Sequence, residues 1–130
     1  MKTILIDAVY TFVIENEGGF KIFEPMQKML DEFPNTKIIL TNANHERFKK
    51  YGLDKMPYEV FTLKHNPEKT DPKYFEKMLE HFNLSADSVV YFEHNKDAVS
   101  SAQSLGINTY HYDKDKKDLE SLKKFLDDNL

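Results

Sequence analysis

Asp7, Thr41, Glu93 and a lysine between residues 64 and 69 are the side chains whose types could do chemistry together. Three of them close short apolar runs: Ile4-Leu-Ile before Asp7, Ile38-Ile-Leu before Thr41, and Val89-Val-Tyr-Phe before Glu93. A carboxylate can attack phosphorus, a hydroxyl and an ammonium can hold phosphoryl oxygens, and a second acid can hold a divalent ion. Taken singly, Asp7 reads equally well as a turn cap and Thr41 as a helix cap. The set of four carries the chemistry: phosphoryl transfer through an aspartyl intermediate. An oxygen-rich site of this kind suits Mg²⁺, which usually keeps several waters.

Such residues must be delivered by rigid elements. The run ending in Asp7 is continuous and apolar, as suits the middle of a parallel sheet covered on both faces. Two apolar arms around a Gly-rich tip, between Phe12 and Phe23, predict a β-hairpin that could overhang Asp7 as a flap. Glu24-Pro25 opens a helix with Met26, Met29, Leu30 and Phe33 at core spacing. A strand over Lys37–Thr41 follows, then a helix through Phe48 and Tyr51 that Gly52 closes. Tyr58–Thr62 is a third strand, and Asp71-Pro72 starts a helix with Phe75, Met78, Leu79 and Phe82 facing the core. Val89–Phe92, a helix closed by Gly106, a strand over Ile107–Tyr112 and an amphipathic terminal helix complete the chain. Hairpin aside, strands and helices alternate. The expected fold class is therefore α/β: a three-layer, Rossmann-like parallel sheet with helices on both faces.

Composition narrows the classes. A chain of 130 residues with 40% hydrophobic content suits one domain over 1–130 with a real core. Without cysteine there are neither disulfides nor thiolate metal sites. A net charge of −4 with interspersed signs disfavours nucleic-acid binding. No run reaches membrane-spanning length and no apolar leader precedes the first strand, so a cytoplasmic location is the expectation. The run Asp113-Lys-Asp-Lys-Lys-Asp is a solvated loop of mixed sign. Of five histidines only His94 has a position that argues for function, directly after Glu93. No His-x-x-x-His spacing occurs.

In order and spacing these segments resemble the haloacid dehalogenase (HAD) superfamily of phosphatases and related hydrolases, over nearly the whole chain. That family opens with Asp-x-Asp-x-Thr, matched by Asp7-Ala-Val-Tyr-Thr11 except at its third position. Its second motif, an apolar strand ending in Thr or Ser, is matched by Ile38-Ile-Leu-Thr41-Asn42. Its lysine before a proline-containing helix start is best matched by Lys69-Thr-Asp-Pro72, with Lys64 the rival. Its acidic fourth motif corresponds to Glu93-His94-Asn95, followed by Ser101-Ala102 and Gly106.

The resemblance implies a sheet order of 3-2-1-4-5 and makes Asp7, Thr41 and Lys69 the catalytic set. It places Thr11, Asn42 and Lys64 about the substrate, a small phosphorylated molecule or a phosphoprotein. Asp7, the Val9 carbonyl, Glu93 and His94 would hold Mg²⁺, or Mn²⁺ in its stead because imidazole suits Mn²⁺ or Zn²⁺ better. The short span between Thr11 and Lys37 implies a capless member, with an open site or docking in a homo-oligomer. Val9 stands where the family's phosphatases carry their general acid and base. Weak phosphatase activity is therefore the expectation, and a catalytically silent domain that binds an anion or a protein is the alternative.

Overall fold

The computed structural model describes all 130 residues. Five parallel strands form the sheet, in the order β5-β4-β1-β6-β7: β1 (Thr3–Asp7), β4 (Lys37–Thr41), β5 (Glu59–Thr62), β6 (Val89–Glu93) and β7 (Asn108–His111). With the hairpin left out, that order is the expected 3-2-1-4-5. The strand β1 pairs with β4 on one side and β6 on the other, so its carboxyl end lies at the crevice where the connections diverge. Open α/β sheets bind ligands at this point.

Alternation along the strands sorts the core. Ile4 and Ile6 of β1, with Val90 and Phe92 of β6, face one layer built on α1 (Glu24–Leu30) and α5 (Leu119–Asn129). Leu5 of β1 and Tyr91 of β6 face the other, built on α3 (Pro72–Phe82) and α4 (Lys96–Ser104). Ile4, Leu5 and Ile6 are all fully buried, and each contributes roughly 1.5–3 kcal/mol relative to exposure. Because side chains repeat every two residues, Asp7 continues the Leu5 face and Glu93 continues the Tyr91 face. Leu5 pairs with Tyr91 and Ile6 with Phe92, so Asp7 and Glu93 arrive side by side. No helix is long and apolar enough to cross a membrane.

The hairpin is tighter than its sequence suggested: β2 (Val13–Asn16) and β3 (Gly19–Ile22) leave only Glu17 and Gly18 in the turn. Both have positive φ, 49° and 81°, as a hairpin turn matched to strand twist requires. The short helix α2 (His45–Lys50) stops one residue before Tyr51, and Gly52 then takes φ 70°. Its first turn is capped by Asn44, which accepts from the Arg47 N–H at 3.0 Å. Asp71 caps α3 and Asn95 caps α4 in the same way. The third of these strands begins at Glu59, not Tyr58, and the fifth lacks the buried Ile107 and Tyr112, although the Tyr112 N–H still donates to the Glu93 carbonyl at 2.9 Å.

The ends of β4 and β5 are tied together by Tyr74 of α3. Its fully buried hydroxyl lies 2.9 Å from the Thr41 carbonyl and 3.2 Å from that of Phe61, and donates between them. Tyr74→Phe keeps the ring and removes the donor, so it should cost about 1–2 kcal/mol in urea denaturation. A change within error would mean that water replaces the hydroxyl there.

Candidate active site

Lys69 is the centre of the site. Its Nζ lies 2.7 Å from Asp7 Oδ1, 2.7 Å from Glu93 Oε1 and 3.3 Å from the Leu40 carbonyl, and the residue is 6% exposed. The side chain of Asn42 accepts from the Lys69 backbone N–H at 2.8 Å, which anchors the loop that delivers it. Lys64, five residues earlier, is exposed on the far part of that loop and lies outside the cavity. Between the two rival lysines, Lys69 is the one the fold carries to Asp7.

The second oxygen of Asp7 is equally occupied. Oδ2 accepts from the Thr11 hydroxyl at 2.6 Å and from the His94 backbone N–H at 3.2 Å, and Nδ1 of the His94 ring lies against it. Thr11 is wholly buried, so its contact is with the carboxylate and not with the cavity. Glu93 receives the Tyr91 hydroxyl on Oε1 and the Asn95 N–H, at 3.1 Å, on Oε2. His94 Nδ1 is 3.3 Å from that same Oε2 and 3.3 Å from Thr11 Oγ1. Its carbonyl meets Nε2 of His111 at 2.9 Å. Thr41 accepts from the Ala43 N–H at 3.2 Å, which leaves its own O–H free to donate into the cavity that it lines.

That cavity has a volume of about 180 Å³ and is lined by Asp7, Thr41, Lys69, Glu93 and His94. Val9 and Asn42 also line it, with four residues that sequence reasoning passed over: Tyr10, Arg47, Tyr51 and His65. His65 lies on its loop 3.4 Å from Glu68. Tyr91 was missed as well, yet it left a signal, since a hydroxyl two residues before Glu93 on one strand must share its face.

Charges in the site are set by burial and by one another. Burial alone would raise the Asp7 pKa, but the Lys69 ammonium and the His94 ring outweigh it and hold the carboxyl well below its usual range. Burial and the Asp7 charge push Glu93 up to about 7, against the pull of Lys69. Burial would lower His94, yet its bond to Asp7 raises it overall. Lys69 is likewise held above its ordinary value, because the two carboxylates exceed the effect of burial.

These shifts fix a pH dependence. Asp7, depressed, stabilises the fold above its unfolded pKa of about 4 and loses that contribution only in stronger acid. Glu93, raised, keeps its proton in the folded chain where the unfolded chain has lost it. Its contribution is complete below about pH 4.5 and is lost as pH rises through about 7. Urea midpoints in a chelator should therefore fall between pH 5 and pH 8, and Glu93→Gln should flatten that decline. A midpoint that rises with pH over this window would contradict the assignment.

No protein-family model matches the sequence, and no curated protein matches it. Solved structures do. A HAD-superfamily hydrolase of subfamily IA from Geobacter sulfurreducens superposes with a TM-score of 0.65 at 14% identity, over 86% of this chain and 89% of that one. A HAD family enzyme from Bacteroides thetaiotaomicron, an aspartate-to-alanine mutant in complex with magnesium and inorganic phosphate, gives 0.61 at 12%, over 85% and 93%. A haloacid dehalogenase-like protein of unknown function from Agrobacterium tumefaciens gives 0.57 at 21%, over 71% and 45%. Likeness at these identities is a likeness of fold, and the fold of this chain is that of the haloacid dehalogenase superfamily.

Proposed function

We propose that the chain is a phosphohydrolase that passes the phosphoryl group through Asp7. The observation that carries this is the buried Asp7 carboxylate at the cavity wall, bound by Lys69, which Glu93 shares. Asp7 is ionised at neutral pH and needs no base to attack. The Asp7–phosphorus bond forms as the bond from phosphorus to the leaving oxygen breaks, and that oxygen departs with the electron pair. Thr41 and Lys69 offer an O–H and an ammonium to the phosphoryl oxygens. Many donors on Asp7 hold it still but also make it a weak nucleophile, so slow attack is expected.

Val9 offers neither a proton for the leaving group nor a base for the hydrolytic water. General acid–base help is typically worth about 10²–10⁴-fold, and its loss falls most heavily on poor leaving groups. Aryl and acyl phosphates are therefore the expected substrates, ahead of sugar phosphates. The phosphoprotein and the small molecule both remain within this class.

The donor set also bears on the metal. Asp7, Glu93 and His94 each present a ligand atom, all within 4.8 Å of one another. Two carboxylates with an imidazole fit a divalent ion that accepts nitrogen, such as Mn²⁺, better than the all-oxygen shell that Mg²⁺ favours. Asp7, Glu93 and His94 would hold it, with the Val9 carbonyl as the expected fourth ligand. Such an ion, when bound, offsets charge on the phosphoryl oxygens. The His94 ring against Asp7 is also what favours the second reading, an anion-binding domain without turnover.

Two measurements separate these readings. With p-nitrophenyl phosphate the chain should show a burst of nitrophenolate and accumulate phospho-Asp7, absent in Asp7→Asn and shortened in lifetime by Val9→Asp. Steady turnover of sugar phosphates without a burst would sink the mechanism, and silence toward both classes would favour the binding domain. In a thermal melt, millimolar Mn²⁺ should raise the midpoint by mass action, and Glu93→Ala should abolish the rise. Protons compete with the ion at His94, whose pKa is raised, so the rise should be larger at pH 8 than at pH 6. Midpoints indifferent to Mn²⁺ at both pH values would exclude a metal at these residues.

A further inference from the structure

Tyr10 is the one large apolar side chain left exposed away from the chain termini, at 43%; the other two are Met1 and Leu130. It stands at the cavity wall, three residues after Asp7, with φ 68°. A non-glycine residue in that region is held there by its surroundings, and such residues cluster at functional sites. Here the surroundings are aromatic. The Tyr10 ring meets the His94 ring edge-on at 6.1 Å and 82°, and meets Phe20 of the hairpin at 6.1 Å and 61°. Phe20 in turn packs edge-on against Tyr51 at 4.6 Å and 81°. The flap thus wedges one ring between two tyrosines from separate elements, and both tyrosines line the cavity beside Asp7.

Arg47 lines the same cavity from α2, one turn before Tyr51. It is the only arginine in the chain, it is exposed, and no carboxylate lies within ion-pair distance of it. A guanidinium without a partner is a fork of donors suited to phosphate oxygens.

Ring walls and the missing acid at Val9 point independently to one kind of leaving group. A planar aromatic alcohol leaves without a proton more readily than an alkyl one, and flat rings are what tyrosine edges and faces hold. We infer that Tyr10 and Tyr51, braced by Phe20, form a subsite for the ring of an aryl phosphate monoester, with Arg47 on its phosphate oxygens; the catalytic part of this rests on the phosphohydrolase reading above. Free aryl phosphates and a phosphotyrosine side chain share this chemistry.

Binding of phosphonates, which cannot be hydrolysed, tests the subsite apart from turnover. Calorimetry on the full chain should give phenylphosphonate an affinity about tenfold above methylphosphonate. That ratio should fall to about threefold or less in Tyr51→Ala and in Tyr10→Asn, asparagine being chosen because it tolerates positive φ. Arg47→Ala should weaken both phosphonates alike. Displacement of phenylphosphonate by free phosphotyrosine but not by a phosphotyrosyl peptide would assign the subsite to small molecules, and displacement by both would admit the peptide. A ratio near one in the unaltered chain, no binding of either compound, or an unchanged ratio in both folded tyrosine variants would overturn the subsite. A lost ratio with an intact nitrophenolate burst condemns the subsite alone, whereas an intact ratio without a burst condemns the hydrolase reading alone.

Discussion

One ammonium group, Lys69 Nζ, holds two buried carboxylates together. Asp7 and Glu93 are 2% and 0% exposed, and two such charges at neighbouring strand ends would repel strongly without it. Lys69 sits 2.7 Å from each and so makes their burial tolerable. The pair is not free of cost even then, as the high pKa of Glu93 shows. Much of the surrounding structure serves to keep this cation in place. Asn42 fixes its backbone, and α3 begins three residues later at Pro72.

The same parity that builds the core also builds the site. Leu5 and Asp7 lie on one face of β1, and Tyr91 and Glu93 on one face of β6, so the apolar layer under α3 and α4 passes directly into the polar cluster. Tyr91 belongs to both: its ring is in the core and its hydroxyl is on Glu93. Thr11 plays a similar part beneath Asp7, where full burial gives it no access to the cavity. A carboxylate held by so many donors is well oriented and weakly basic.

Two positions give this cavity its particular chemistry. Val9 lines the cavity with a side chain that has no proton to move, while His94 brings a nitrogen to the oxygens that face away from Lys69. Through Phe20 the hairpin packs against both tyrosines of the cavity wall, Tyr10 and Tyr51, although it forms no part of the main sheet.

The sequence by itself determined the layout: the alternation of elements and the residues at three strand ends, with the strand order implied by the family resemblance. These are local or periodic signals, since an apolar run closed by a polar residue reads the same before and after folding. It also determined the poverty of position 9, where valine has no proton to move. Tertiary structure decided what depends on distance. Lys69 over Lys64 follows from the path of a loop anchored by Asn42, a contact across 27 residues. Thr11 turned to Asp7, and not to the cavity, because the chain folds back at Ala8, whose carbonyl takes the N–H groups of Thr11, Phe12 and Val13. The ring wall could not be read at all, because Tyr10, Phe20 and Tyr51 lie on three separate segments and carry no shared period. Only their packing, with Phe20 against both tyrosines, brings Tyr10 and Tyr51 to one cavity.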